Sequence, residues 1–243
     1  RACFDRMVKT NDTSVYLDLS DLERDPHQLF PHISRICSYF GIDIAKDPIP
    51  VRPGAHYMIG GIQVDSEGRT SVPGLFAAGE CSSSGLHGAN RMGSNSLLEG
   101  MVYSSRAADA VKYLPRIRPS QVASWSTGDA TDSNDAIVVS LNWEEIRRFM
   151  WSYVGIVRSN KRLERALHRI ENVRDEIRQY YLDFKVTNDL IELRNVALVA
   201  HLIIESARRR KESRGLHYTL DYPEKPPEAR HAAIQRTNGP ASH

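Results

Sequence analysis

Residues 85–99 read Gly-Leu-His-Gly-Ala-Asn-Arg-Met-Gly-Ser-Asn-Ser-Leu-Leu-Glu, and they turn directly into the apolar, alanine-containing run Leu97–Val111. A Gly-, Asn- and Ser-rich stretch followed by such a run is a loop feeding a helix N-terminus. Ser94, Asn95 and Ser96 are all residue types that cap helices. The first backbone N–H groups of a helix lack an internal partner and carry the positive end of its dipole. They therefore suit a phosphate, a carboxylate or an anionic cofactor ring. Arg91 adds a fixed cation three residues before the cap. An ordinary loop and capped helix have the same composition, so the pattern alone leaves both readings open.

Just upstream stands Val72-Pro73-Gly74-Leu75-Phe76-Ala77-Ala78-Gly79-Glu80. Leu75–Ala78 is a short apolar run bounded by turn formers, which predicts a fully buried strand. Gly79 would let a ligand approach the backbone. Glu80 would emerge at the strand's C-terminal end, where α/β sheets bind ligands, and could accept hydrogen bonds from sugar-like hydroxyls.

These two segments, "GLFAAGE" and "HGANRMGSNSLLEG", resemble the second flavin-binding stretch of the fumarate reductase, succinate dehydrogenase and L-aspartate oxidase flavoproteins. Within that superfamily the chain is most similar to the L-aspartate oxidases. "PVRPGAHYMIGGIQVDSEGRTSVPGLFAAGE" (50–80) has their spacing from His to Glu. Ser-Asn-Ser stands where the dehydrogenases usually carry Ala-Asn-Ser. "FMWSYVGIVRSNKRLERAL" (149–167) and "RRKESRGLHYTLDYPE" (209–224) are similar to their C-terminal helical region. The resemblance covers roughly 1–224 and leaves the tail from Pro226 unassigned.

The resemblance also implies what lies elsewhere. The chain begins with Arg and contains no G-x-G-x-x-G fingerprint. In the family that fingerprint, a mobile capping domain and the catalytic Arg would all precede Arg1. The chain is thus expected to be a C-terminal portion of a larger enzyme, inactive alone and with an incomplete FAD site.

Two regions are expected. Residues 1–140 read as the C-terminal part of an α/β FAD-binding domain, with a residual capping-domain edge and a linker at Pro119–Asp135. Within it, Arg1–Val8 and Pro31–Phe40 read as helices and Val15–Leu19 as a strand. Tyr57–Val64 and Thr70–Val72 read as a hairpin around Asp65–Gly68. Residues 141–243 read as an all-α, antiparallel three-helix bundle with an extended tail. Its helices are expected near Trp143–Arg158, Lys161–Phe184 and from the Thr187-Asn188-Asp189 cap to Lys211. The second carries one apolar face, Leu163, Leu167, Ile170, Val173, Ile177 and Tyr181. The continuous apolar centre of the third, Val196–Ile204, suggests the most buried helix. Gly215 reads as its stop.

Charge argues against a nucleic-acid partner. Residues 143–218 carry 16 basic and 11 acidic side chains, but they alternate at helical spacing, as in Arg162, Glu164, Arg165, Arg169 and Glu171. That pattern is a solvated, salt-bridged surface. The run Arg208–Lys211 falls where cations complement a helix C-terminus. No apolar run is long enough to span a membrane. Cys3, Cys37 and Cys81 have neither disulfide nor zinc spacing and fit a reducing, cytoplasmic setting. Cys81 reads as a small buried filler rather than a ligand contact. No group of side chains has metal-ligand spacing.

Site roles follow from the resemblance. Arg91 would grip a substrate carboxylate, and His56 would add a donor to it. Glu80 would bind the ribityl hydroxyls of FAD. Ser96 and Leu97, with Asn90 and Ser94, would hold the flavin ring. His87 reads as loop-shaping or flavin-adjacent, and His217 as structural. The implied reaction takes L-aspartate to iminoaspartate, with hydride passing from Cα to the flavin. Oxygen or fumarate would reoxidise the cofactor. The product would feed NAD biosynthesis through quinolinate synthase. Two alternatives stand beside this. One is a fumarate reductase or succinate dehydrogenase flavoprotein subunit, which would need an iron–sulfur partner subunit or another electron donor. The other is a non-enzymatic helical interaction module.

Overall fold

A computed structural model describes residues 1–115, 124, 126–132 and 136–235. Most of the Pro119–Asp135 linker lies outside the described residues. Contacts divide the chain into two compact units, 1–58 and 59–243.

The first unit holds helix α1 (Ala2–Thr10), strand β1 (Val15–Leu17), helices α2 (Pro26–Leu29) and α3 (Pro31–Ser38), and strand β2 (Ile49–Val51). Both short helices start on proline, whose missing N–H costs nothing in a first turn. Asp25 caps α2 by accepting the His27 N–H at 3.0 Å. β1 and β2 pair antiparallel, with Val15 opposite Val51 and Leu17 opposite Ile49. Pro50 fits because the ladder has only two strands, so its nitrogen can face outward. Cys37, Ile44 and Ile49 form a small core with Leu19 and Ile42 against it.

The second unit opens with strand β3 (Ile62–Gln63), which runs parallel to β4 (Ser82–Ser83). The expected hairpin is displaced along the chain. The Asp65–Gly68 turn forms, with Asp65 Oδ1 accepting the Glu67 and Arg69 N–H groups. However, β3 pairs with β4, and residues 68–70 fold onto 75–77 through an antiparallel bridge between Arg69 and Phe76. The tight turn between them is closed by Leu75 N–H on Val72 O at 3.0 Å. The fully buried strand at Leu75–Ala78 is not found. Ala77 is buried, but Leu75 is exposed and the run is held by a single bridge. Burial on both faces needs a flanked strand in a sheet with layers packed above and below it, and among the described residues this run has only the Arg69–Phe76 bridge.

Helix α4 (Asn95–Val111) follows, then α5 (Ala136–Val154), α6 (Asn160–Asp183) and α7 (Asn188–Arg209). Helices α5, α6 and α7 pack on one another around a shared core that includes Ile146, Phe149, Leu163, Ile170, Leu193 and Ile204. On α6 the buried positions Leu163, Ala166, Ile170, Val173 and Ile177 recur every three or four residues, as the sequence pattern requires. Thr187 caps α7 through the Leu190 N–H, and Ser159 caps α6 through Arg162. α7 is not buried all round. Ala197, Ala200 and Ile204 face the core, whereas Leu198, Val199 and Leu202 are exposed. Nor does Gly215 stop the helix, which ends at Arg209 with Arg210 as its cap.

Part of the charged surface of these helices is paired internally. Arg169 meets Glu145 at 3.3 Å, and Glu205 takes both Arg208 and Arg209. Such exposed pairs contribute little stability.

Candidate functional site

The loop of residues 84–94 and the first turns of α4 form one fastened unit. Glu99 anchors it. This carboxylate sits in the second turn of α4 and is almost fully buried. Its Oε1 accepts the Ser84 hydroxyl, and its Oε2 lies 2.7 Å from His87 Nε2. Ser84 Oγ in turn accepts the Leu86 N–H at 3.2 Å. Burying a carboxylate is costly unless it is paired, and the Ser84 bond together with the close approach of His87 ties two loop residues to the helix. Successive tight turns then carry the chain forward, with Gly88 N–H on Gly85 O and Asn90 N–H on His87 O. Glu99 was not foreseen. The available signal was an acidic residue among the apolar residues that open the helical run, with a histidine in the preceding loop.

Arg91 is half-buried, and its guanidinium donates to Ser96 Oγ at 2.9 Å. The planar fork is therefore held at the start of α4. Ser94 is the N-cap residue, but its backbone is left-handed (φ 70°) and its side chain makes no capping bond. The capping expectation for Ser94, Asn95 and Ser96 thus fails in detail. The Ser96 hydroxyl engages Arg91 and the Asn95 N–H bonds Met92 O at 3.3 Å, so the cap side chain takes none of the remaining first-turn N–H groups of α4. Asn90, Ser94 and Leu97 are exposed around this end.

Glu80 lies in a single 3₁₀ turn, Gly79–Cys81, and is exposed. Gly79 has φ +77° and open space where a side chain would project. The turn passes over α4 at Gly100, where a built Cβ would meet Gly79 Cα at 3.7 Å. Glu80 is thereby brought alongside α4, the helix that carries Ser96. Cys81 is exposed, contrary to expectation, because its turn lies on the surface; its thiol donates to Ala78 O at 3.4 Å. His56 belongs to the first unit, in an exposed segment after β2.

The C-terminal end of the second unit reaches the loop as well. Leu216 N–H donates to Ala89 O at 3.1 Å, two residues before Arg91. Behind it, the Arg158 guanidinium donates to His217 Nδ1 at 2.8 Å. Burial and then the neighbouring Arg158 push the His217 imidazole down to about 4, so it stays neutral and accepts. This agrees with a structural role for His217.

An open helix end, an arginine pinned beside it, a glycine cradle and an exposed carboxylate together can receive an anionic ring and its hydroxylated chain. Comparison with known proteins gives these features a family. Residues 1–97 match the FAD binding domain, and residues 143–238 match the fumarate reductase flavoprotein C-terminal domain. The chain belongs to the fumarate reductase and L-aspartate oxidase flavoproteins. L-aspartate oxidase of Pseudomonas aeruginosa is 54% identical over 233 residues, covering 95% of this chain and 43% of that protein. L-aspartate oxidase 1 of Ralstonia nicotianae is 48% identical over 240 residues, covering 97% and 45%. Among solved structures, a point variant of Escherichia coli quinol fumarate reductase FrdA superposes with a TM-score of 0.71 at 30% identity, over 92% of this chain and 43% of that one. The chain thus spans less than half the length of these relatives. Among the described residues, no helix is long and apolar enough to cross a membrane, and no group of three or more His, Cys, Asp and Glu could hold a metal ion.

Proposed function

We propose that these residues form part of an FAD-dependent enzyme that oxidises L-aspartate to iminoaspartate, supplying a cytoplasmic route to NAD by way of quinolinate synthase. The observation that carries the reading is Arg91, pinned to Ser96 at an α4 N-terminus whose cap residue offers no side-chain acceptor. The donor set fits the cofactor. The exposed Glu80 would take the ribityl hydroxyls, Gly79 leaves room for close approach, and Asn90, Ser94, Ser96 and Leu97 surround the open N–H groups. When bound, FAD supplies the two-electron acceptor, to be reoxidised by oxygen or fumarate.

The chain's own residues bind and orient. Arg91 would hold one substrate carboxylate through a charge-assisted fork, and His56 is separately proposed as a substrate donor. The Ser84–Glu99–His87 fastening limits the freedom of Arg91 before substrate arrives, which is how positioning contributes to rate. No residue here is assigned the substrate proton; that role would fall to an arginine of the longer enzyme. The exposed apolar face of α4, including Leu98 and Met101, suits coverage by the rest of a nucleotide-binding domain. A boundary near residue 140 and an antiparallel course of α5, α6 and α7 complete the reading.

The test is anaerobic mixing of L-aspartate with the flavin-loaded, full-length enzyme. Flavin bleaching, with hydrogen peroxide released once oxygen is admitted, is the expected result. Succinate should compete without bleaching, since it lacks the amine that drives imine formation. Rapid bleaching by succinate, with L-aspartate inert, would replace this proposal with a dehydrogenase or fumarate reductase.

A further inference from the structure

We propose that the C-terminal turn Ser213–His217 is a positioning element of the site. It clasps the loop bearing Arg91 at Ala89, a position that the Glu99 contacts to Ser84 and His87 do not hold. The proposal rests on Arg91 acting as the carboxylate clamp.

The contact is backbone to backbone and very close. Leu216 N–H donates to Ala89 O at 3.1 Å. Gly215 has φ +58°, and a Cβ built there would fall 2.1 Å from the same Ala89 oxygen. Only glycine combines that backbone angle with that approach. The turn is itself stiff. Arg214 and His217 exchange N–H···O bonds of 2.8 and 3.1 Å. Ser213 Oγ donates to Tyr222 O at 2.8 Å and accepts the Thr219 N–H at 3.0 Å. Arg158 fixes His217, and its backbone pairs with Tyr218 and Leu220. Ser213, His217 and Thr219 are all buried. The turn is therefore a rigid abutment carried by the helical region.

The loop needs one. Ser84 and His87 are tied to Glu99, and Arg91 is tied to Ser96. Ala89 lies between these fastenings, and Leu216 holds its carbonyl. The helical region thus sets the angle at which the guanidinium leaves the loop.

Hydrogen exchange on the 243-residue chain tests the clasp without any flavin. Gly215→Ala should raise exchange of a peptide spanning 85–93 by about tenfold or more, while α6 stays protected. Unchanged exchange at 85–93 in a folded variant would overturn the proposal. Should the variant fail to fold, the unaltered chain decides. The segments 85–93 and 213–217 should become exchangeable at the same urea concentration, and separate openings would refute the clasp. In the flavin-loaded enzyme, Gly215→Ala should raise KM for L-aspartate by about tenfold with a smaller change in kcat and normal FAD content. If KM stayed constant while Arg91→Leu was crippled, the turn would not position Arg91. If Arg91→Leu were itself unimpaired, the clamp assignment would fail instead, and the exchange result alone would judge the clasp.

Discussion

Acidification should loosen the C-terminal turn before it affects the carboxylates. His217 has an ordinary value of 6.5 in an unfolded chain and about 4 in place. Burial is the main cause, and the charges of Arg158 and Arg210 act in the same direction. The Arg210 backbone and Glu212 oppose them. Because the folded value is the lower one, the unfolded chain binds the proton first, and stability falls as pH drops below 6.5. For a folded value of about 4, moving from pH 7.5 to 5 costs at most about 2 kcal/mol; partial access of water to the ring reduces the expected loss to about 1 kcal/mol. Glu212, held below its usual range by Arg214 and Arg210, loses its contribution only at lower pH, so the window from 7.5 to 5 isolates the imidazole from that group. His201 is also depressed, by burial and Arg174, and adds in the same direction. The assay is urea unfolding followed by helical circular dichroism at both pH values, for the parent chain and for His217→Gln. The glutamine can still accept from Arg158 but does not titrate. The parent should lose about 1 kcal/mol more than the variant across this window. Equal losses would refute the assignment of a neutral, Arg158-bound His217.

Other outcomes are equally direct. Arg91→Leu in the flavin-loaded enzyme should lower kcat/KM for L-aspartate by the equivalent of about 2–5 kcal/mol with FAD content nearly unchanged; a near-normal value would remove Arg91 from the substrate site. Ile170→Ala, at a fully buried position of α6, should destabilise the helical core by about 2–5 kcal/mol in urea unfolding. Thr187→Ala removes the α7 cap and should cost about 1 kcal/mol in the same measurement. The 243-residue chain alone should emerge from gel filtration without flavin absorbance, because the residues proposed to hold FAD here serve only its ribityl and ring portion; a stoichiometric yellow complex would contradict that division.

The helical region was legible because periodicity states its own geometry. The α6 face was readable from steps of three and four, and Thr187 announced α7 by residue type. The α/β region was less so. Leu75–Ala78 has the composition of an inner strand, but burial of a strand depends on neighbours that its own residues do not encode. In α7, an apolar run interrupted only by His201 concealed two different faces, with Ala200 inward and Val199 outward. The Arg91 loop was found through its composition, yet its fastening was not. The partnership of Glu99 with Ser84 and His87 depends on how the loop folds back over the helix. Gly215 was recognised as a turn former, but its closeness to Ala89 arises from tertiary packing across more than half of the chain.

That separation has a kinetic side. On a ribosome adding about 5–20 residues per second, Leu216 appears about 6–25 s after Ala89. Until then the nascent loop can be tied to α4 through Glu99, but its outer limb has nothing to rest against. Contacts between such distant segments form late because loop closure must precede their reward. The arginine limb should accordingly be among the last parts of the molecule to become native, and a synthesis pause before Ser213 would prolong a state with its helix complete and its loop unsupported.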